Sequence, residues 1–203
     1  MARRTKQEAE KTRAQILDAA EQVFLQKGVA STSLQDIARK AGVTRGAVYW
    51  HFENKLALFN AMHERVKLPM DALFEQALHA PSPIQALKEL CVYSLKQLVH
   101  DEHTRRVYTI LLHRCEQVDD AKNHCERQRQ MREEVLSKLE KIFTLARKEN
   151  HLPTSIQPET AALALHAYML GLFSDYLRNP ATHPLPSLGT TLIDIFFQGM
   201  GNG

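Results

Sequence analysis

Apolar residues in this chain recur every three to four positions, which predicts helices almost throughout. Ile16, Leu17, Ala20, Val23 and Phe24 fall on one face of a first helix over about 6–26, and Lys27-Gly28 supplies its stop. Ser33-Leu34-Gln35-Asp36 is a serine and an acid at capping-box spacing, so a second helix opens at Leu34 and runs to Ala41. Gly42-Val43 makes a tight turn, and Thr44 caps a third helix that ends near Phe52. Asn54 caps a fourth, in which Leu56, Phe59, Met62 and Val66 recur at helical spacing up to Pro69.

Beyond Pro69 the pattern predicts helices over about 70–79, 84–100, 103–117, 120–149, 159–178 and 187–198. They are separated by Pro81-Ser82-Pro83, by Asn150-His151-Leu152-Pro153 and by Asn179-Pro180. No alternating strand pattern, repeat or low-complexity tract interrupts them. The expected fold is therefore all-α, with about nine helices. A compact N-terminal three-helix unit forms one domain (1–53) and a larger C-terminal helical bundle the other (54–203).

The first unit carries the most specific signal. In Ala38-x3-Gly42-x5-Val48, the alanine lets two helices cross closely and the glycine supplies a positive φ between them. Leu34, Ile37, Val43, Val48 and Phe52 are the expected small core. This is the spacing of a helix-turn-helix, whose second helix enters the DNA major groove with its N-terminal residues leading. The outward face then presents Thr44, Arg45 and Tyr49, with Gly46 allowing close approach to DNA. Arg45 is the expected reader of a guanine edge, and Tyr49, His51 and Lys55 are expected at phosphates.

Charge supports this placement. Residues 1–67 hold 12 lysines and arginines against 7 aspartates and glutamates, and the remainder holds 14 against 16. The positive surplus thus sits in the part expected to meet a polyanion. The whole chain, at 44% hydrophobic and 24% charged residues, has an ordinary globular composition. No apolar run reaches the ~20 residues of a membrane span. The basic start is not followed by an apolar run, so no secretory signal is read and a cytoplasmic protein with no membrane partner is expected.

The run Thr32-Ser33-Leu34-Gln35-Asp36-Ile37-Ala38-Arg39-Lys40-Ala41-Gly42-Val43-Thr44-Arg45-Gly46-Ala47-Val48-Tyr49-Trp50-His51-Phe52-Glu53-Asn54-Lys55 resembles the signature of the TetR family of transcriptional regulators. Within that family it is close to the AcrR-type subgroup, which represses multidrug efflux pumps. Ala2-Arg3-Arg4-Thr5-Lys6-Gln7-Glu8-Ala9 and the segment Arg105-Arg106…His113-Arg114-Cys115-Glu116 are similar to that subgroup too. The likeness is dense over residues 1–66 and patchy afterwards. It implies phosphate contacts from Thr32 or Ser33, Tyr49, His51 and Lys55, and base contacts from Thr44, Arg45 and Gly46. Arg3, Arg4 and Lys6 would form an arm reaching the backbone or minor groove. Trp50 is expected to pack between the third and fourth helices.

The resemblance also implies a homodimer through the last two helices on a near-palindromic operator in double-stranded DNA. Leu163, Ala164, Ala167, Leu170, Gly171 and Ser174, with Leu188, Leu192, Ile195 and Phe196, are the expected contact face. Met70, Phe74, Tyr108, Leu112, His166, Met169 and Phe173 are candidate ligand residues, which suit a small amphipathic or aromatic effector of drug-like or bile-salt-like character. The expected function is a ligand-released repressor of a multidrug efflux operon.

Two alternatives stay open: a regulator of a metabolic operon, and a redox sensor using Cys115 or Cys125 in a His/Arg-rich stretch. Three cysteines at irregular spacing make no disulfide framework. No metal, phosphate-loop or nucleophile motif is present, so neither catalysis nor a cofactor is expected.

Overall fold

A computed structural model describes the backbone of residues 2–115 and 121–201, and the side chains of these except 2–5, 121–125, 127, 128 and 201. Nine helices and no strand occur among the described residues: α1 (Ala2–Lys27), α2 (Leu34–Ala41), α3 (Arg45–His51), α4 (Lys55–Leu78), α5 (Pro83–His100), α6 (Glu102–His113), α7 (Ala121–Lys148), α8 (Pro158–Arg178) and α9 (Leu185–Gly201).

The local signals act as their chemistry requires. Gly28 closes α1 at φ 80°, and Gly42 closes α2 at φ 67°, in the left-handed region that a Cβ disfavours. Ser33 caps α2 in a reciprocal capping box with Asp36, and Thr44 accepts from the Ala47 N–H to cap α3. Asn54 Oδ1 accepts from the Ala57 N–H at 2.8 Å and starts α4.

Pro69 does not end the fourth helix. It sits inside α4, which continues to Leu78, so the separate helix expected over 70–79 is the second half of this one. Proline removes one i→i−4 hydrogen bond but fixes a helix-compatible φ, and the apolar spacing either side is continuous enough to carry the helix past it.

The chain divides into two compact units, Met1–Leu68 with Arg106–Asp119, and Pro69–Arg105 with Asp120–Gly203. The division falls within α4 and within α6. In the first unit Ile16, Leu17, Ala20 and Phe24 of α1 pack with Ile37 and Ala38 of α2, Val48 of α3, Leu58, Phe59 and Met62 of α4, and Val107 and Ile110 of α6. Phe24 and Phe59 meet edge to face at 6.2 Å. In the second unit α7 packs on α8 and α5 on α9, with Leu87, Leu98, Ile142, Phe143, Leu165 and Ile193 buried. Tyr168 of α8 stacks on Phe196 of α9 at 5.1 Å and donates to the Leu192 carbonyl at 2.9 Å.

Candidate nucleic-acid interface

The reading unit is built around α2. Asp36 accepts from the Ser33 N–H at 3.1 Å and from Lys27 Nζ at 2.8 Å, and these bonds, Lys27 foremost, hold its carboxyl well below the usual range. At the other end of α2, the Gly42 N–H closes the helix on the Ala38 and Arg39 carbonyls. Ala38 is fully buried, as a close crossing requires, and Val48 and Phe52 seat α3 in the core.

What α3 leaves outside is polar and aromatic. Thr44, Arg45, Gly46 and Tyr49 are all exposed. Arg45 Nη2 donates to Tyr49 Oη at 3.1 Å, and the guanidinium lies 5.3 Å from the Tyr49 ring centroid. The predicted base-reader is thus held in place by a cation–π contact of about 0.5–1 kcal/mol, weak enough to yield to a better acceptor. His51 is half-buried; burial first, and the nearby Arg13 second, lower its affinity for a proton. Lys55 is half-buried, with Nζ donating to the Ala30 carbonyl at 2.9 Å, which ties the start of α4 to the loop before α2.

Trp50 corrects the sequence reading. It does not pack between α3 and α4: its side chain is 73% exposed and meets the His51 ring edge to face at 4.5 Å. Val48 and Phe52, four residues apart, take the inward face of the helix. Position 50, two residues from each, points the opposite way. That offset was readable from the sequence, and the aromatic character of Trp50 obscured it. Of the pair Thr32 and Ser33, Thr32 is buried and its hydroxyl donates to the Gly28 carbonyl at 2.7 Å, whereas Ser33 is exposed. The side chains of Arg3 and Arg4 lie outside the described residues, while Lys6 is exposed.

A buried carboxylate braces this unit from within. Glu21 of α1 has no exposed surface, accepts from Arg65 of α4 at 3.2 Å, and accepts from Nε and Nη2 of Arg106 of α6 at 3.4 Å each. Arg65 also donates to Asp18 at 2.7 Å. The sequence reading missed Glu21. Its signal was an acid on the Leu17–Phe24 face of α1, since a buried charge requires a partner.

The candidate ligand residues divide between the units. Met70, Phe74, His166, Met169 and Phe173 belong to the second, and Tyr108 and Leu112 to the first. Phe173 is buried and the other six are half-buried. Met70 Sδ accepts a weak bond from Ser94 Oγ at 3.9 Å, and Lys138 Nζ lies 6.0 Å from the Phe74 ring centroid. Burial, then Arg132, lowers the proton affinity of His166. Tyr108 packs against the core of the first unit.

Burial pushes the thiols of Cys91 and Cys115 up to about 12, the opposite of what a reactive thiolate needs. Cys125 lies outside the described side chains. Among the described residues no cluster of three or more His, Cys, Asp or Glu is placed to hold a metal ion. No described helix is long and apolar enough to cross a membrane.

A capped eight-residue helix, a left-handed glycine turn and a short helix with an exposed polar face define a helix-turn-helix regulator. Residues 16–62 match the family model described as bacterial regulatory proteins, tetR family, and residues 82–201 match that of the MAATS-type transcriptional repressor, C-terminal region. The chain belongs to the TetR family, whose members are transcriptional regulators. It is 41% identical over 186 residues to the HTH-type transcriptional regulator TtgR of Pseudomonas putida, which covers 89% of this chain and 87% of that protein. Among solved structures, NalD, the secondary repressor of the MexAB-OprM multidrug efflux pump in Pseudomonas aeruginosa, superposes with a TM-score of 0.86. It is 40% identical and covers 97% of this chain and 98% of its own. SmeT in complex with triclosan superposes with a TM-score of 0.85 at 33% identity, covering 95% and 93%.

Proposed function

We propose that this protein is a repressor that binds a near-palindromic operator as a homodimer, is released by a small amphipathic or aromatic compound, and controls a multidrug efflux operon. The observation that carries the reading is the outward face of α3, where Thr44, Arg45, Gly46, Tyr49 and Trp50 are all exposed. The efflux assignment rests on TtgR, NalD and SmeT, the last two being repressors of multidrug efflux pumps.

DNA binding is assigned to residues 1–53, with Lys55 just beyond; ligand binding and dimerisation are assigned to 54–203. Thr44, Arg45 and Gly46 face the bases. Ser33, Tyr49, His51 and Lys55 meet phosphates, and Arg3 and Arg4 supply the arm. Thr32 supports Ser33 from beneath through its bond to Gly28. Dimerisation is assigned to α8 and α9, where Leu163, Leu170, Leu188 and Ile195 remain exposed on the single chain. Apolar side chains of that size left open on two adjacent helices are the expected mark of a subunit contact. Ligand release follows if the compound binds more tightly to a conformation that fits DNA less well.

Trp50 is the only tryptophan in the chain, so its emission reports on this face alone. Titration with duplex taken from upstream of the protein's own gene is expected to change that emission, with a Kd of about 10⁻⁸ M or tighter at physiological salt. Triclosan is expected to reverse the change. Binding no tighter than to random duplex overturns the repressor reading, and a bound state insensitive to triclosan and to other apolar drugs overturns ligand release.

Gly46 offers a sharper check. A Cβ there would meet only Thr44 Oγ1, at 3.8 Å, so the fold tolerates alanine. Gly46→Ala is expected to stabilise α3 by about 0.5–1 kcal/mol through helix propensity, and yet to weaken operator binding by crowding the DNA. Thermal unfolding and titration of the same sample measure both. Equal or tighter operator binding by this variant rules out close approach at Gly46.

A further inference from the structure

Both ends of α3 carry an arginine laid on an aromatic ring. At its start the guanidinium of Arg45 covers Tyr49; at its end that of Arg13, reaching from α1, lies 5.2 Å from the Phe52 ring centroid. Among the described side chains, three other arginines of this unit face carboxylates: Arg39 faces Asp36, Arg65 faces Asp18 and Glu21, and Arg106 faces Glu21. Arg13 is exposed and has no carboxylate within ion-pair distance among the described residues. Its charge is felt locally, since it is the charged group that disfavours a proton on His51. The C-terminal end of α3 thus carries a guanidinium with no carboxylate partner among the described residues, next to the exposed Trp50.

We propose that Arg13 is a DNA-backbone contact, forming with His51 a phosphate site at the end of α3. The inference rests on the DNA-binding reading above and extends the DNA-facing part of α1 from the arm at Arg3 and Arg4 to Arg13. The Phe52 ring orients the guanidinium before DNA arrives, so little side-chain entropy is lost on binding. A phosphate then supplies the anion that the site lacks. Arg45 and Arg13 would hold the recognition helix at its two ends, one at a base edge and the other at the backbone.

The test uses full-length protein and a random-sequence 24-base-pair duplex, because a backbone contact carries no sequence information. The dependence of log K on log salt is measured for wild type, Arg13→Met and Arg13→Lys, with thermal unfolding of each. Methionine keeps apolar cover on Phe52 and loses the charge; lysine keeps the charge and loses the planar stack. The expected result is a slope shallower by about 0.9 per subunit in Arg13→Met, with lysine keeping the wild-type slope. A wild-type slope in Arg13→Met overturns the inference and leaves Arg13 as a packing residue. Should methionine unfold the protein, Arg13→Gln takes its place, and a slope that follows melting temperature rather than charge across the set also overturns it. A wild type that binds neither random nor upstream duplex overturns the DNA-binding reading itself.

Discussion

Replacing Glu21 with alanine is expected to cost about 2–4 kcal/mol of stability, as much as the loss of a large core side chain. Glu21 is fully buried and receives guanidinium groups from two other helices, Arg65 on α4 and Arg106 on α6. Removing one partner of a fully buried ion pair typically costs about 3–5 kcal/mol, because the remaining charge is left without compensation. Here the arginines are 31% and 22% exposed, and Arg65 keeps Asp18, so water and that carboxylate recover part of the loss. The melting temperature is expected to fall by about 4–16 °C, since about 1 kcal/mol shifts Tm by ~2–4 °C in a chain of this size. Glu21→Gln keeps the shape and one accepting oxygen, and is expected to lose less. Wild-type melting in both variants would show that the buried carboxylate contributes nothing net.

Loss of Arg45 acts on a different property. Arg45→Ala is expected to weaken operator binding by roughly 1–3 kcal/mol and to relax the preference at one base in each half-site, with stability unchanged. Its contacts in the free protein are confined to the Tyr49 hydroxyl and ring on the surface, so no core packing depends on it. The informative comparison is Lys55→Ala. Its ammonium bonds the Ala30 carbonyl and also stands at the start of α4, so its loss is expected to weaken all DNA sequences alike and to flatten the salt dependence. Selection of preferred duplexes from a random pool, run with both variants, separates the two roles. Unchanged operator and random-duplex affinity in Arg45→Ala would remove Arg45 as the reader.

Much of the reading unit was legible along the chain because its determinants are local. The capping box at Ser33 and Asp36, the left-handed Gly42 and the cap at Thr44 act within four residues, and the structure realises each where the spacing put it. The helical character of the larger bundle was legible for the same reason. Pro69 misled because proline is a strong local stop signal, while the continuity of α4 depends on the whole length of the helix. Trp50 misled because residue type suggested burial where helix phase placed it on the outer face.

The sequence by itself determined the helices, the turn between α2 and α3, and the residues on the outward face of α3, since backbone conformation and side-chain phase are set within a few residues. Only the tertiary structure decided which charges are cancelled. Glu21 and Arg106 are 85 positions apart, and Arg13 meets Phe52 only because α1 packs against the reading helices. Electrostatic pairing falls off with distance in space, not along the chain, and so only the fold distinguishes an arginine spent on a buried carboxylate from one left facing outward.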